Sequence, residues 1–197
     1  GPKEHAAILW YTASGKKLLS FELEYTIGSR EIHSLFALSP DGKLVLTSIW
    51  DGQSTWGWTV MLWDSTTGKK LRAIDVRATS IRSVAFSPDG KLLLTGSVDG
   101  TAVLWDVATG KVRQSFLAHT GSIGVSFWRE YVQTASDDGT NRLWDAATGK
   151  ELCAFVIFNA GNDWLVVSPD GSFDGSEGGM KFMAWREAGT LNRVEDD

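Results

Sequence analysis

Segments of this chain can be laid on one another almost letter for letter: "SLFALSPDGKLVLTS", "SVAFSPDGKLLLTGSVDGTAVLWDVATGK" and "VSFWREYVQTASDDGTNRLWDAATGK". The tryptophans of the three units, Trp63, Trp105 and Trp144, stand 42 and 39 residues apart. Trp185 in "FMAWREAG" follows 41 residues later, and Trp10 in "AAILWYTASGK" opens the series 53 residues before Trp63. A period of about 40 constrains the fold more than any other feature. Each unit is one supersecondary element that cannot bury its surface alone and must stack on copies of itself.

Within a unit, "IRSVAF" and "TAVLWDV" alternate or run apolar with β-branched residues, and "SPDG" and "ATGK" are turn sequences with glycine where φ is positive. No stretch repeats every 3.6 residues. The expectation is an all-β chain of four short strands per unit, the units packed face to face around an axis as a β-propeller. "SVDGTAVLWD" and "SDDGTNRLWD" carry the Ser-x-Asp-x-Thr...Leu-Trp-Asp signature, and with it the chain resembles the WD-repeat family over essentially its whole length.

The resemblance implies a buried hydrogen-bonded tetrad, complete only in the third full unit as His119, Ser136, Asp138 and Trp144. The second unit keeps Ser97, Asp99 and Trp105 but has Ala78 where the histidine aligns. The implied role is structural: the aspartate accepts from the histidine, which reaches the serine and thence the indole N–H.

In this family the Trp-Asp pair ends the third strand of a blade. After a tag scar and leader at 1–4, residues 5–31 then hold only the two outer strands of a partial blade. Complete blades are expected at 32–76, with an enlarged Trp-rich loop, and at 81–117, 122–158 and 163–197, the last atypical. Closed propellers of this kind resemble rings of about seven or eight blades, so four and a half fall short. The chain is then a fragment of a longer protein, one half of a homodimer that closes a ring by sharing strands near Trp10, or a lone ring of five. In the C-terminal unit "SFDGSEGG" replaces the usual second strand. This unit resembles the terminal blade of bacterial WD-repeat proteins joined to caspase-like peptidases, which implies a sensor or regulatory role. A terminal repeat is also atypical simply because it caps a stack.

Little here points to chemistry. The formal charge of −5 argues against a dominant nucleic-acid role. No apolar run approaches the roughly 18 residues needed to span a bilayer, so no membrane association is expected. A single cysteine, Cys153, fits a reducing compartment, and a cytoplasmic location is the expectation. None of the Gly-Lys pairs is followed by Ser or Thr, no G-x-S-x-G elbow exists, and His5, His33 and His119 are far apart in sequence. No catalytic residue, metal site or cofactor is assigned, and the chain reads as a non-enzyme. Cys153 in "KELCAFVIF" reads as a small core hydrophobe.

Aligning "IWDGQSTWGWTVMLWD" with "VDGTAVLWD" matches Trp63 to Trp105 and leaves "QSTWGW", residues 53–58, as an insertion between the second and third strands. Trp10, Trp63, Trp105, Trp144 and Trp185 occupy the repeat position. Trp56 and Trp58 do not, and Trp50 replaces a small residue beside them. Alternating indoles on a lengthened hairpin point to opposite sides, so one packs down and the other stands out. Trp50, Trp56 and Trp58 are therefore the candidate contacts for a protein or peptide partner on the top face, where large aromatics serve as anchors. The alternatives are that they cover the hairpin itself or bind a second copy in a self-assembling half-propeller. Trp128, in the "WREY" that replaces an SPDG turn, and Trp164 also fall outside the repeat position.

Overall fold

The computed structural model describes residues 6–11, 13–22, 35–50, 57–117, 119–158, 161–181, 184–187 and 190–193. They form β1 (Ala6–Tyr11), β2 (Lys16–Glu22), β3 (Phe36–Leu38), β4 (Leu44–Trp50), β5 (Trp58–Asp64) and β6 (Lys70–Val76). Next come β7 (Ile81–Phe86), β8 (Leu92–Ser97), β9 (Thr101–Asp106), β10 (Val112–Leu117), β11 (Ile123–Trp128) and β12 (Tyr131–Ser136). The remainder are β13 (Asn141–Asp145), β14 (Glu151–Phe158), β15 (Asp163–Val167), β16 (Phe173–Gly175), the single-turn helix α1 (Glu177–Met180), β17 (Ala184–Glu187) and β18 (Thr190–Arg193).

The strands pair as antiparallel meanders. β3–β6 make the first blade, β7–β10 the second and β11–β14 the third, with two-stranded sheets at β1–β2 and β17–β18. Each blade is apolar on both faces, so each must be covered twice. Leu46, Val60, Leu62 and Ile74 of the first blade meet Ile81, Leu93 and Trp105 of the second. Leu94, Leu104 and Phe116 of the second meet Ile123, Val125, Val132 and Trp144 of the third. The outer flank of the first blade is covered by the β1–β2 hairpin, where Phe21 is 1% exposed and its ring lies 5.8 Å from that of Trp63. Close stacking of the second and third blades depends on Gly96, since a β-carbon there would lie 2.7 Å from Val125 Cγ1 and 2.8 Å from the carbonyl of Ile123.

The turns repeat as faithfully as the strands. In the first two SPDG turns, Ser39 and Ser87 donate to Asp41 and Asp89 at 2.7 Å, and each serine oxygen accepts the amide of Leu44 or Leu92 at 2.9 Å. In the second repeated turn, Asp64, Asp106 and Asp145 each accept both the amide and the hydroxyl of the threonine three residues on. These bonds hold the carboxyls below the ordinary carboxylate range. The strand pairing is displaced by one residue beside Trp10, Trp63 and Trp144, and across from Trp105, so a bulge marks four of the repeat tryptophans, whereas Trp185 pairs with Asn192 in unbroken register.

One expectation is corrected. Among the described residues, 163–197 hold no separate four-stranded sheet. β15 and β16 instead add to the outer edge of the third blade, making one sheet of six strands in the order β11 to β16. The reason lies in the departure already visible in "SFDGSEGG". In the second and third blades the connection into the first strand is tied to an aspartate turn, by Thr79 on Asp99 and Thr120 on Asp138. Here β16 stops after three residues, Ser176 caps α1 by accepting the amide of Gly179 at 3.0 Å, and it also binds Asp163. With no such turn to start a blade, the free edge of β14 takes the chain. Trp10, at the repeat position, is 54% exposed on β1, whose partner among the described residues is β2.

The tight fit at Gly96 sets the first expected outcome. Gly96→Ala destabilises the fold by about 1–3 kcal/mol through overpacking between the second and third blades, read from urea unfolding. The same substitution at the open position Gly139 is strained by its φ of 87° alone, and a cost at Gly96 below that at Gly139 counts against this packing.

Candidate functional site

The polar network expected around His119 is present, but its relay is a different residue. His119 Nδ1 lies 3.0 Å from Asp138 Oδ2, and its Nε2 lies 2.7 Å from Thr134 Oγ1. Trp144 Nε1 donates to that same threonine oxygen at 3.0 Å. Ser136 is not in the chain of bonds between histidine and indole; its Oγ accepts the amide of Asp138 at 3.1 Å within the turn. Strand register explains the substitution of roles. On β12 Val132 sits opposite Trp144 and Thr134 opposite Arg142, so Thr134 is the diagonal neighbour of the indole on the same face. Ser136 lies beyond the last β12–β13 pair, at the turn. The other blades repeat the bond: Trp63 donates to Thr47 at 2.9 Å and Trp105 to Thr95 at 3.0 Å. The signal that could have revealed it is a threonine inside the second strand of each unit, at "VLTS", "LLTGS" and "VQTAS".

The bond directions assign the tautomer. Asp138 is held ionised and can only accept, so His119 Nδ1 carries a proton, and a bare Nε2 accepts from the Thr134 hydroxyl, whose oxygen accepts from Trp144. Burial pushes the Asp138 carboxyl up, but the hydroxyl and amide of Thr140, the amide of Thr120 and the His119 ring outweigh it and hold it far below the ordinary range. An Asp–His–Thr line of this kind has the connectivity of a hydrolase triad. Its surroundings differ from those of a nucleophile: Thr134 is 0% exposed, and its oxygen is bonded to the buried Trp144 indole.

In the second blade Ala78 leaves the line broken, as the alignment indicates. Thr79 holds Asp99 as Thr120 holds Asp138, but at 3.5 Å through the amide and 3.3 Å through the hydroxyl. The hydroxyl of Thr95 falls back on the carbonyl of Val103 at 3.4 Å. A cavity of about 320 Å³ opens there, lined by Ala78, Thr95, Ser97 and Trp105 among others.

The three tryptophans singled out for partner contact separate. Trp58 is 4% exposed and belongs to the core between the first and second blades, which removes it from a contact surface. Trp50, directly across from it on β4, is half-buried and packs on the same cluster. Trp56 lies outside the described residues. The pairing of β4 with β5 runs on through Ile49↔Thr59 and Trp50↔Trp58, whereas β8–β9 stops at Gly96↔Ala102. The insertion therefore lengthens a rigid ribbon. Cys153 is half-buried on β14, where burial and the charge of Glu151 push its thiol up, away from nucleophilic character. Among the described residues no three His, Cys, Asp or Glu side chains converge as a metal site, and no helix is long and apolar enough to cross a membrane.

Residues 68–106, from the turn before β6 to the end of β9, match the family model described as WD domain, G-beta repeat. The fold is similar to that of U3-55K, with a TM-score of 0.55 and 16% identity, covering 75% of this chain and 52% of that one. It is similar also to the RRP9 WD40 repeats, with a TM-score of 0.53, 16% identity and the same coverage. This chain thus spans about half the length of either structure, and at such identity the likeness is one of fold. None of the curated proteins matches the chain.

Two outcomes follow from the network. Thr134→Val, equal in shape, leaves Trp144 Nε1 and His119 Nε2 unpaired and costs about 2–4 kcal/mol, whereas Ser136→Ala costs about 0.5–1.5 kcal/mol; chemical denaturation of both variants ranks them, and the reverse order removes Thr134 from the relay. Because the folded-state pKa of Asp138 is depressed, its contribution is fully present above the unfolded value of about 3.9 and fades as pH falls through the folded one. Asp138→Asn should flatten the loss of stability below about pH 4 by up to one bound proton, and an unchanged slope in acid unfolding curves contradicts the assignment.

Proposed function

We propose that this chain is a non-catalytic scaffold that binds a protein or peptide partner at the end of the blades where the β4–β5 ribbon reverses. One observation carries the reading. Trp50 at the end of β4 and Trp58 at the start of β5 pair with each other and pack on the core between two blades, so the strand ends that flank residues 51–56 are fixed, and Trp56 within that segment is taken as the contact residue. Binding loops carried on rigid sheets lose little conformational freedom when they engage, and a large aromatic near the surface supplies the anchor. The WD-repeat match over residues 68–106 agrees with a scaffold, and in the third blade the His119 network is consumed by structure.

Self-assembly is the second reading, supported by the two-stranded sheets β1–β2 and β17–β18. Each carries fewer strands than a blade and offers edges to a second copy.

Trp56→Ala separates the readings. With a photo-crosslinker installed at a neighbouring loop position, the chain should capture a partner from its source cells. That enrichment should fall about tenfold or more in Trp56→Ala, with an unchanged thermal midpoint. Trp58→Ala instead costs about 3–5 kcal/mol of stability. A solution mass of twice 21.5 kDa that drops to the single-chain value in Trp56→Ala makes a second copy the occupant. Capture that is indifferent to the substitution removes the loop from the function.

A further inference from the structure

The opposite end of the blades carries a feature that the ribbon does not account for. Between the second and third blades lies a cleft of about 590 Å³. Its floor is apolar: Leu92 and Leu104 from one blade, Phe127 and Ala146 from the other. This volume is in the range of clefts that hold a side chain or small ligand.

A deletion creates the cleft. From Phe86 to the relay residue Thr95 the second unit uses nine steps, through "SPDGK"; from Phe127 to Thr134 the third uses seven, through "WRE". At the junction of the first and second blades the two full-length turns reach each other, with Pro40 Cδ 3.8 Å from the place a side chain on Gly90 would occupy. The shortened turn of the third blade reverses directly from Trp128 to Tyr131. Beside it, Ser87 and Pro88 of the neighbouring turn form a wall of the opening.

The shortened turn has its own anomaly. Arg129 takes a φ of 55°, the only positive φ among described residues other than glycine. Its guanidinium lies 5.7 Å from the centre of the Trp128 ring, which is 55% exposed and stacked on Tyr131 at 5.8 Å. A glycine would make this turn without strain, so the arginine side chain is the part of the residue that calls for an explanation. It lines the cleft, as does Arg113, which is 3.8 Å from Asp106. Of the two carboxylates at the rim, Asp89 is already held by Ser87 and Lys91, and Glu130 stands on the turn itself.

We propose that this cleft is a second binding site, which takes a short peptide segment bearing one large apolar side chain next to an acidic residue. The apolar side chain occupies the floor over Leu104 and Phe127, and the carboxylate meets Arg129, with Arg113 behind it. Charge complementarity selects the acid, since among the described residues Arg129 makes no ion pair and its guanidinium lies on the Trp128 face. Apolar surface continues past Arg129 onto exposed Trp128, so the occupant is longer than the cleft, a chain rather than a compact molecule. The site is independent of the ribbon reading and stands or falls without it.

Methyl NMR on the full chain labelled at leucine and alanine tests the proposal. The probes are the blocked tetrapeptide Gly-Leu-Phe-Glu, its Gln and Lys counterparts, and 3-phenylpropionate. The expected result is saturable shifts of the Leu92, Leu104 and Ala146 methyls by the acidic peptide, with affinity at least tenfold above the Lys peptide. Arg129→Gly, which suits the φ, should weaken binding at least fivefold while leaving the thermal midpoint equal or higher. Shifts that do not saturate, equal affinity for acidic and basic peptides, or unchanged binding in Arg129→Gly each overturn the site. Phenylpropionate binding as tightly as the peptide overturns the peptide as occupant.

Discussion

The fold turns on a single repeated hydrogen bond, from the indole N–H of a third-strand tryptophan to the hydroxyl of a buried threonine on the second strand. It occurs at Trp63–Thr47, Trp105–Thr95 and Trp144–Thr134, with every threonine at most 3% exposed. A tryptophan brings a large apolar surface and one donor. Burying the first in an inter-blade core is favourable only if the second is paired, because an unpaired buried N–H costs about 1–3 kcal/mol. The threonine satisfies it without adding volume, and its methyl serves the apolar face. Each blade can therefore present a flat indole-bearing flank to its neighbour, and the stacking of blades follows.

What lies around that bond varies between blades and shows how it is buffered. In the third blade the threonine passes its own proton on to His119 and so to Asp138, a line ending in a carboxylate that four donors hold ionised. In the second blade the line ends after one step on a carbonyl, and a cavity stands where a ring is missing. The indole bond is nearly unchanged between them, 3.0 Å in both. The histidine and aspartate thus act on the connection that enters the blade, by fastening residues 119 and 120 to the turn at 138, more than on the core itself.

Period, turn chemistry and the strand of each tryptophan were legible in the sequence because each is local: glycine at positive φ, Asp and Thr three apart, alternating apolar residues. The relay was misplaced by two residues, from Thr134 to Ser136, because both share a strand face and only the cross-strand register distinguishes the residue beside the indole from the one at the turn. The six-stranded sheet was out of reach for a similar reason. Whether residues 163–175 begin a new blade or extend an old one depends on which edge is free, a property of the assembled neighbours and not of the segment. The sequence marked Trp58 as one of two indoles on a lengthened hairpin with Trp50 beside them, yet that Trp50 and Trp58 stand opposite each other and pack on the core required the register of β4 on β5 and the position of the next blade.

The two ends of the blades differ in what holds them, and that difference bears on where a partner is engaged. At one end, Thr79 on Asp99 and Thr120 on Asp138 tie the connections of the second and third blades each to its own blade, and in the first blade Trp50 and Trp58 seat the end of β4 and the start of β5 on the core, where the insertion at 53–58 enters. At the other end, the turns of the first and second blades lie close together, with Pro40 Cδ 3.8 Å from the place a β-carbon on Gly90 would occupy. A deletion at the first end would remove an anchor and loosen a blade. A deletion at the second, as in "WREY", leaves the strands paired from Ile123↔Ser136 to Trp128↔Tyr131 and simply withdraws a neighbour, opening apolar surface between two blades that stay rigid. Insertion at the tied end and deletion at the opposite end are therefore the changes this repeat tolerates at least cost to the Trp–Thr bonds. Those are the two places where the chain departs furthest from its own period within the described blades.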